Sequence, residues 1–86
     1  MSQAHVLVVD DDPAVRDVLQ EALMQEEYSV STAEDGAAAI QAVKDSVIHI
    51  VITDFQLPDI DGLEIIERLA KIDAKIIPIM MTGFGT

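Results

Sequence analysis

Ile48-His49-Ile50-Val51-Ile52-Thr53-Asp54-Phe55-Gln56-Leu57-Pro58-Asp59-Ile60-Asp61-Gly62 decides how this chain folds. An apolar run stops on a carboxylate, and the turn formers Pro58, Asp59, Asp61 and Gly62 follow within eight positions. A buried strand that delivers one acid to the edge of a sheet and then turns back has this form. The Ile and Val content suits a strand covered on both faces.

Upstream, His5-Val6-Leu7-Val8-Val9 is a second short apolar run, halted by Asp10-Asp11-Asp12-Pro13. Its length and valines favour a strand over a helix segment. Asp12 suits a helix N-cap and Pro13 the first helical position, where a missing N–H goes unused. Val15, Val18, Leu19, Ala22 and Leu23 then recur at helical spacing as one apolar stripe. Tyr28 to Thr32 alternates, as an edge or half-buried strand does, and Ala33-Glu34-Asp35-Gly36 reads as a turn. A second helix is expected from Ala37 to Lys44 with Ala37, Ile40 and Val43 facing inward. Downstream of the opening stretch, Leu63, Ile66, Leu69 and Ala70 mark a third helix, and Ile76 to Met81 a fourth strand. Pro78 cannot donate to a ladder and should lie near that strand's start.

The alternation of strand and helix predicts a doubly wound parallel α/β sheet with helices on both faces. If the second strand lies on one side of the first and the third on the other, the carboxyl ends of strands one and three meet at a topological switch point, where such sheets bind ligands. Those two ends carry Asp10-Asp11 and Asp54.

Half of the 86 residues are apolar and 3% are aromatic, so Ile, Val, Leu, Met and Ala must fill a single small core. A net charge of −11 excludes nucleic acid and anionic membrane as natural direct partners and favours a cation. With no cysteine there is neither a disulfide framework nor a thiol nucleophile, which fits a cytoplasmic setting. No basic-then-apolar leader opens the chain, and no apolar run reaches membrane-spanning length.

Carboxylates about 4 Å apart repel by roughly 4 kcal/mol per pair at an effective dielectric near 20. A hard cation relieves this, and Mg2+ is typically held by one or two carboxylates together with water and a substrate phosphate. Asp54 beside such an ion could act as a nucleophile and form an acyl phosphate. Thr82, at the end of the fourth strand, could donate to a phosphoryl oxygen there, and Gly83 and Gly85 would let main chain approach an anion. The bland alternative makes Asp10, Asp11 and Asp12 a polar turn and cap, and for Asp12 that reading is preferred. Arg16 is the only basic residue placed near the crevice and reads as a solvated helix position. His5 and His49 fall at the opposite end and read as ordinary polar residues.

Val8-Val9-Asp10-Asp11-Asp12-Pro13, Val51 to Gly62 and Met80-Met81-Thr82-Gly83 resemble the successive motifs of bacterial two-component response-regulator receiver domains, in order and along the whole chain. The resemblance implies the flavodoxin-like strand order 2-1-3-4, with Asp54 the phosphoacceptor supplied by a sensor histidine kinase. It implies a Mg2+ site of Asp10, Asp11, Asp54 and the Gln56 main-chain carbonyl, with Asp11 a direct ligand and Thr82 the switch hydroxyl. The ending Met81-Thr82-Gly83-Phe84-Gly85-Thr86 resembles receivers of transcription activators that carry an ATPase domain. The family pattern continues with a further helix, a fifth strand ending in lysine and a last helix, so residues 1–86 are expected to be one incomplete receiver. Its fourth strand would then be an exposed apolar edge, inviting a homodimer or an exchange of elements.

The expected function is regulatory phosphoacceptance rather than enzymatic turnover, with switching impaired. The alternative is a receiver-fold interaction module that dimerises and is not phosphorylated. A Mg2+-dependent phosphatase would carry an acid-x-acid motif, which Asp54-Phe55-Gln56 lacks. No glycine-rich loop follows the first strand to hold a nucleotide.

Overall fold

The computed structural model describes residues 4–81. Four parallel strands, β1 (His5–Val9), β2 (Ser29–Ala33), β3 (Ile50–Asp54) and β4 (Ile77–Met81), lie in the order β2-β1-β3-β4. Three helices connect them: α1 (Pro13–Gln25), α2 (Gly36–Asp45) and α3 (Gly62–Ile72). The doubly wound order expected from the sequence is the one observed.

Each helix starts on an aspartate that caps it. Asp12 accepts from the Ala14 amide at 2.9 Å, Asp35 from Ala38 at 2.8 Å and Asp61 from Glu64 at 2.8 Å. Such caps satisfy amides that a first helical turn otherwise leaves unpaired. The far end of α1 closes differently. Glu27 stands at φ 70°, its amide bonds the Met24 carbonyl at 2.9 Å, and the Tyr28 amide bonds Leu23 at 3.2 Å. That is a Schellman closure with glutamate where glycine is usual.

Residue alternation divides the sheet into two unequal faces. Leu7, Val9 and Val51 meet Ala39 and Val43 of α2 and Ile65 and Leu69 of α3, forming the main core. On the opposite face α1 packs over β1 and β2, above buried Val6 and Val8. The register aligns Ile50 with Ile77 and Ile52 with Ile79, so that face continues across β4. There Ile77 is 58% and Ile79 46% exposed.

The inner faces differ from those the periodicity suggested. In α2, Ala37 is exposed, while Gly36, Ala39 and Val43 are buried and Ile40 is half-buried. Three adjacent alanines carry no signal to choose between them, and packing in the shared core makes the choice. In α3, Leu63 and Ala70 are exposed, and the packed line is Gly62, Ile65 and Leu69 with Ile66 beside it. In α1, Val15, Leu19 and Leu23 are half-buried, but Val18 is 66% exposed and Ala22 is exposed too. The second strand begins at Ser29 rather than Tyr28, and the third at Ile50 rather than Ile48, which is buried ahead of the ladder. Pro78 is the second residue of β4, as expected.

Candidate functional site

The carboxyl ends of β1 and β3 lie side by side, with Val9 opposite Thr53. One residue further on, the chain supplies Asp10 from β1 and Asp54 from β3. Asp10, Asp11 and Asp54 each offer a carboxylate oxygen, and these oxygens lie within 4.8 Å of one another. Asp10 is buried, Asp54 half-buried and Asp11 exposed, so the cluster runs from the sheet to solvent.

Several bonds fix Asp10. Its amide extends the ladder to the Ala33 carbonyl at 3.1 Å, and its Oδ1 accepts from the Asp12 amide at 2.8 Å. Arg16 Nη1 donates to the Asp10 carbonyl oxygen at 2.7 Å. Burial pushes the Asp10 carboxyl above its ordinary value of 3.8; the Asp12 amide offsets part of this, and the charges of Asp54, Asp11 and Asp12 raise it further.

Beside the acids an open cleft of about 490 Å³ is lined by Asp11, Asp54, Phe55, Gln56, Leu57 and Pro58. The loop forming its wall is closed on itself. The Gly62 amide bonds the Phe55 carbonyl at 2.7 Å, the Leu57 amide bonds Ile60 at 3.1 Å, and Gln56 and Asp61 form an isolated antiparallel bridge. Leu57 anchors the loop in the core. Gly62 allows the closure, because a Cβ there would lie 2.5 Å from the Asp54 carbonyl oxygen and 2.7 Å from Met80 Sδ.

The chemistry of the donor set suits a hard divalent cation. Three oxygen donors sit close together, one of them buried and resisting its own charge. Of the residues singled out in the sequence, Asp10, Asp11, Asp54 and Gln56 come together at this cleft. Thr82 and Gly83, together with Gly85, lie outside the described residues.

Two residues matter more than the sequence suggested. Arg16 is half-buried and tied to Asp10, not simply solvated; its position six residues beyond Asp10, on the first turn of a helix leaving the crevice, was the available signal. The sequence marks Asp59 only as a turn former, yet its carboxylate accepts from the Gly36 amide at 2.8 Å and the Ala37 amide at 3.0 Å. No local pattern announces a partner 23 residues away. His5 and His49 are at the opposite end of the sheet, where the His5 amide donates to His49 Nδ1 at 2.8 Å and His5 Nε2 meets Ser31 Oγ at 2.7 Å. Among the described residues, no helix is long and apolar enough to cross a membrane.

Residues 6–86 match the family model described as the response regulator receiver domain. The chain is 34% identical over 83 residues to the transcriptional regulatory protein GlrR of Escherichia coli (strain K12), covering 96% of this chain and 19% of that protein. It is also 34% identical over 85 residues to sporulation initiation phosphotransferase F of Bacillus subtilis (strain 168), covering 99% of this chain and 68% of that protein. Among solved structures it resembles the response regulator protein TrrA of Thermotoga maritima in complex with Mg(2+)-BeF. That match has a TM-score of 0.88 and 34% identity, over 96% of this chain and 72% of the other. The chain thus spans about a fifth of GlrR and about two thirds of phosphotransferase F. Receiver domains are regulatory, bind Mg2+ at an acidic pocket and interact with histidine kinases and phosphotransferases. With four parallel strands in the flavodoxin-like order and an acid cluster at the switch point, this chain belongs to the response-regulator receiver domain family.

Proposed function

We propose that residues 1–86 act as one receiver unit in which Asp54 accepts a phosphoryl group from the phosphohistidine of a sensor histidine kinase. Asp10, Asp11, Asp54 and the Gln56 main-chain carbonyl would hold Mg2+. The observation that carries this reading is the gathering of three carboxylates, their oxygens within 4.8 Å of one another, beside an open cleft. The Mg2+-BeF complex of TrrA, 34% identical, lends it support.

Bound Mg2+ supplies positive charge that offsets the repulsion between an incoming phosphoryl group and the acids. An Asp54 carboxylate oxygen attacks phosphorus, forming the O–P bond as the P–N bond to the kinase imidazole breaks, and the leaving imidazole takes a proton from water. Asp10 contributes from a fixed position, held by the Asp12 amide and by Arg16 on its carbonyl. The product carries roughly −1.5 to −2 charges and strong acceptor oxygens. Thr82 and Gly83, outside the described residues, are assigned to meeting those oxygens.

The unit is a regulator rather than a turnover enzyme and works in the cytoplasm. Its net charge of −11 keeps these residues off nucleic acid and anionic membranes. A polypeptide limited to them would switch poorly. Its five basic residues are Arg16, Lys44, Arg68, Lys71 and Lys75, and Lys75 precedes β4, at the end of the sheet away from the acids.

A second reading, a dimerising module that is not phosphorylated, draws on exposed Ile77 and Ile79 at the sheet's edge. Incubating the chain with Mg2+ and acetyl phosphate, then weighing it intact, separates the two. A single phosphoryl adduct that vanishes in Asp54→Asn is the expected result. Folded, Mg2+-binding protein that forms no adduct and whose mass in solution rises with concentration would leave the second reading standing.

A further inference from the structure

Asp59 lies in the loop between β3 and α3, and its carboxylate is bonded away from that loop. Both its carboxylate oxygens accept from the first two amides of α2, Gly36 and Ala37. The approach is close: a Cβ on Gly36 would run into Ile60 Cγ2 and come within 3.2 Å of Asp59 Oδ1. Meanwhile the ordinary capping task at this helix is already filled by Asp35, which accepts from Ala38 at 2.8 Å. Asp59 is therefore a second acid at one helix start, brought there from the wall of the acidic cleft. The same loop carries Gln56 and is closed by the Leu57 and Gly62 amides.

We propose that Asp59 is a positioning residue for the Mg2+ site: the α2 amides grip its carboxylate and so hold the loop from Phe55 to Asp61 against the acids. This rests on the reading of the crevice as a Mg2+-dependent phosphoacceptor site. Asp59 touches neither metal nor phosphate and acts through the loop. The amides hold its carboxyl below the ordinary 3.8, the Gly36 bond contributing most, so the grip is on the charged form.

The test compares Asp59→Ala with Asp35→Ala in the 86-residue chain. Each removes one negative charge and acceptor from the start of α2, but only the first releases the loop. Mg2+ affinity is measured by calorimetry, and amide hydrogen exchange is followed at Leu57 and Gly62. Loss of a group that orients metal ligands typically weakens metal binding tenfold or more, so Asp59→Ala should weaken Mg2+ by about tenfold. It should also speed exchange at both amides, while Asp35→Ala changes Mg2+ affinity by less than about twofold. Should Asp59→Ala fail to fold, Asp59→Asn keeps one acceptor oxygen and should show an intermediate loss of about threefold. Equal Mg2+ affinity in the wild type and the Asp59 variant, or equal losses in the Asp59 and Asp35 variants, overturns the positioning role alone. A wild-type chain that does not bind Mg2+ overturns the phosphoacceptor reading and this role with it.

Discussion

In the crevice, Asp10, Asp11 and Asp54 face one another, whereas at the start of α2, Asp35 and Asp59 face main-chain amides. The residue type is the same and the outcome is opposite. Burial drives the Asp10 carboxyl up from 3.8, while the Gly36 amide leads in holding Asp59 below it. In the crevice the buried Asp10 resists its own charge and the donor set suits a cation, whereas at α2 the acids satisfy amides and help to hold the fold together. The loop from Phe55 to Asp61 joins the two regions.

The two glycines that let the regions approach give the largest test of this contrast. In Gly62→Ala the new methyl meets main chain, the Asp54 carbonyl oxygen at 2.5 Å, and cannot be accommodated by a rotamer change. Urea denaturation should show a loss of about 1–3 kcal/mol or more. Gly36→Ala meets a side-chain methyl, Ile60 Cγ2, rather than main chain, and should lose less. Equal losses would mean that the α2 junction is as rigid as the crevice.

Charge removal comes next. Without Mg2+, Asp10→Asn keeps an acceptor for the Asp12 amide and removes a buried charge that three neighbours oppose. Its thermal midpoint should rise by about 4–8 °C, the equivalent of 1 kcal/mol in a domain this size, and Mg2+ should no longer raise it. Asp59→Asn should move the midpoint the other way. Shifts of the same sign would erase the distinction between the two sets of acids.

The smallest effect is in pH. Because the folded pKa of Asp59 is depressed, its contribution is complete above the unfolded value and is lost as pH falls through the folded one. The stability gap between wild type and Asp59→Asn, measured by denaturant at each pH, should hold near pH 6 and close below about pH 4. A gap that widened on acidification would contradict the amide grip.

The alternation of strands and helices was legible because apolar runs ended at turns and Asp12-Pro13 announced a helix start, whereas the lateral order 2-1-3-4 came with the family resemblance. The meeting of Asp10, Asp11 and Asp54 followed from that order, since the switch point brings two particular strand ends together. Facing was less legible. Ala37, Ala38 and Ala39 are equivalent to any hydrophobicity pattern, and only packing in the shared core selects Ala39 for burial. Leu63 fits a helical line as well as Ile65 does, yet is 60% exposed. The ties from Arg16 to Asp10 and from Asp59 to α2 are side-chain bonds to distant or off-pattern main chain, which periodicity does not encode.

Pro78 gives the open side of β4 a polarity. In a parallel ladder, alternate residues point their main-chain groups to opposite neighbours. The Ile77 amide bonds the His49 carbonyl at 2.9 Å, so Ile77 and Ile79 turn toward β3, and Pro78 and Met80 turn outward. Proline brings a carbonyl to that outward rail but no N–H. The rail therefore accepts at both positions and donates only at Met80. An incoming strand must supply amide donors and forgo one in return, a mismatch that two identical copies of β4 laid edge to edge would share. Whatever strand lies along this rail, from this chain or another, therefore meets an acceptor without a donor at Pro78.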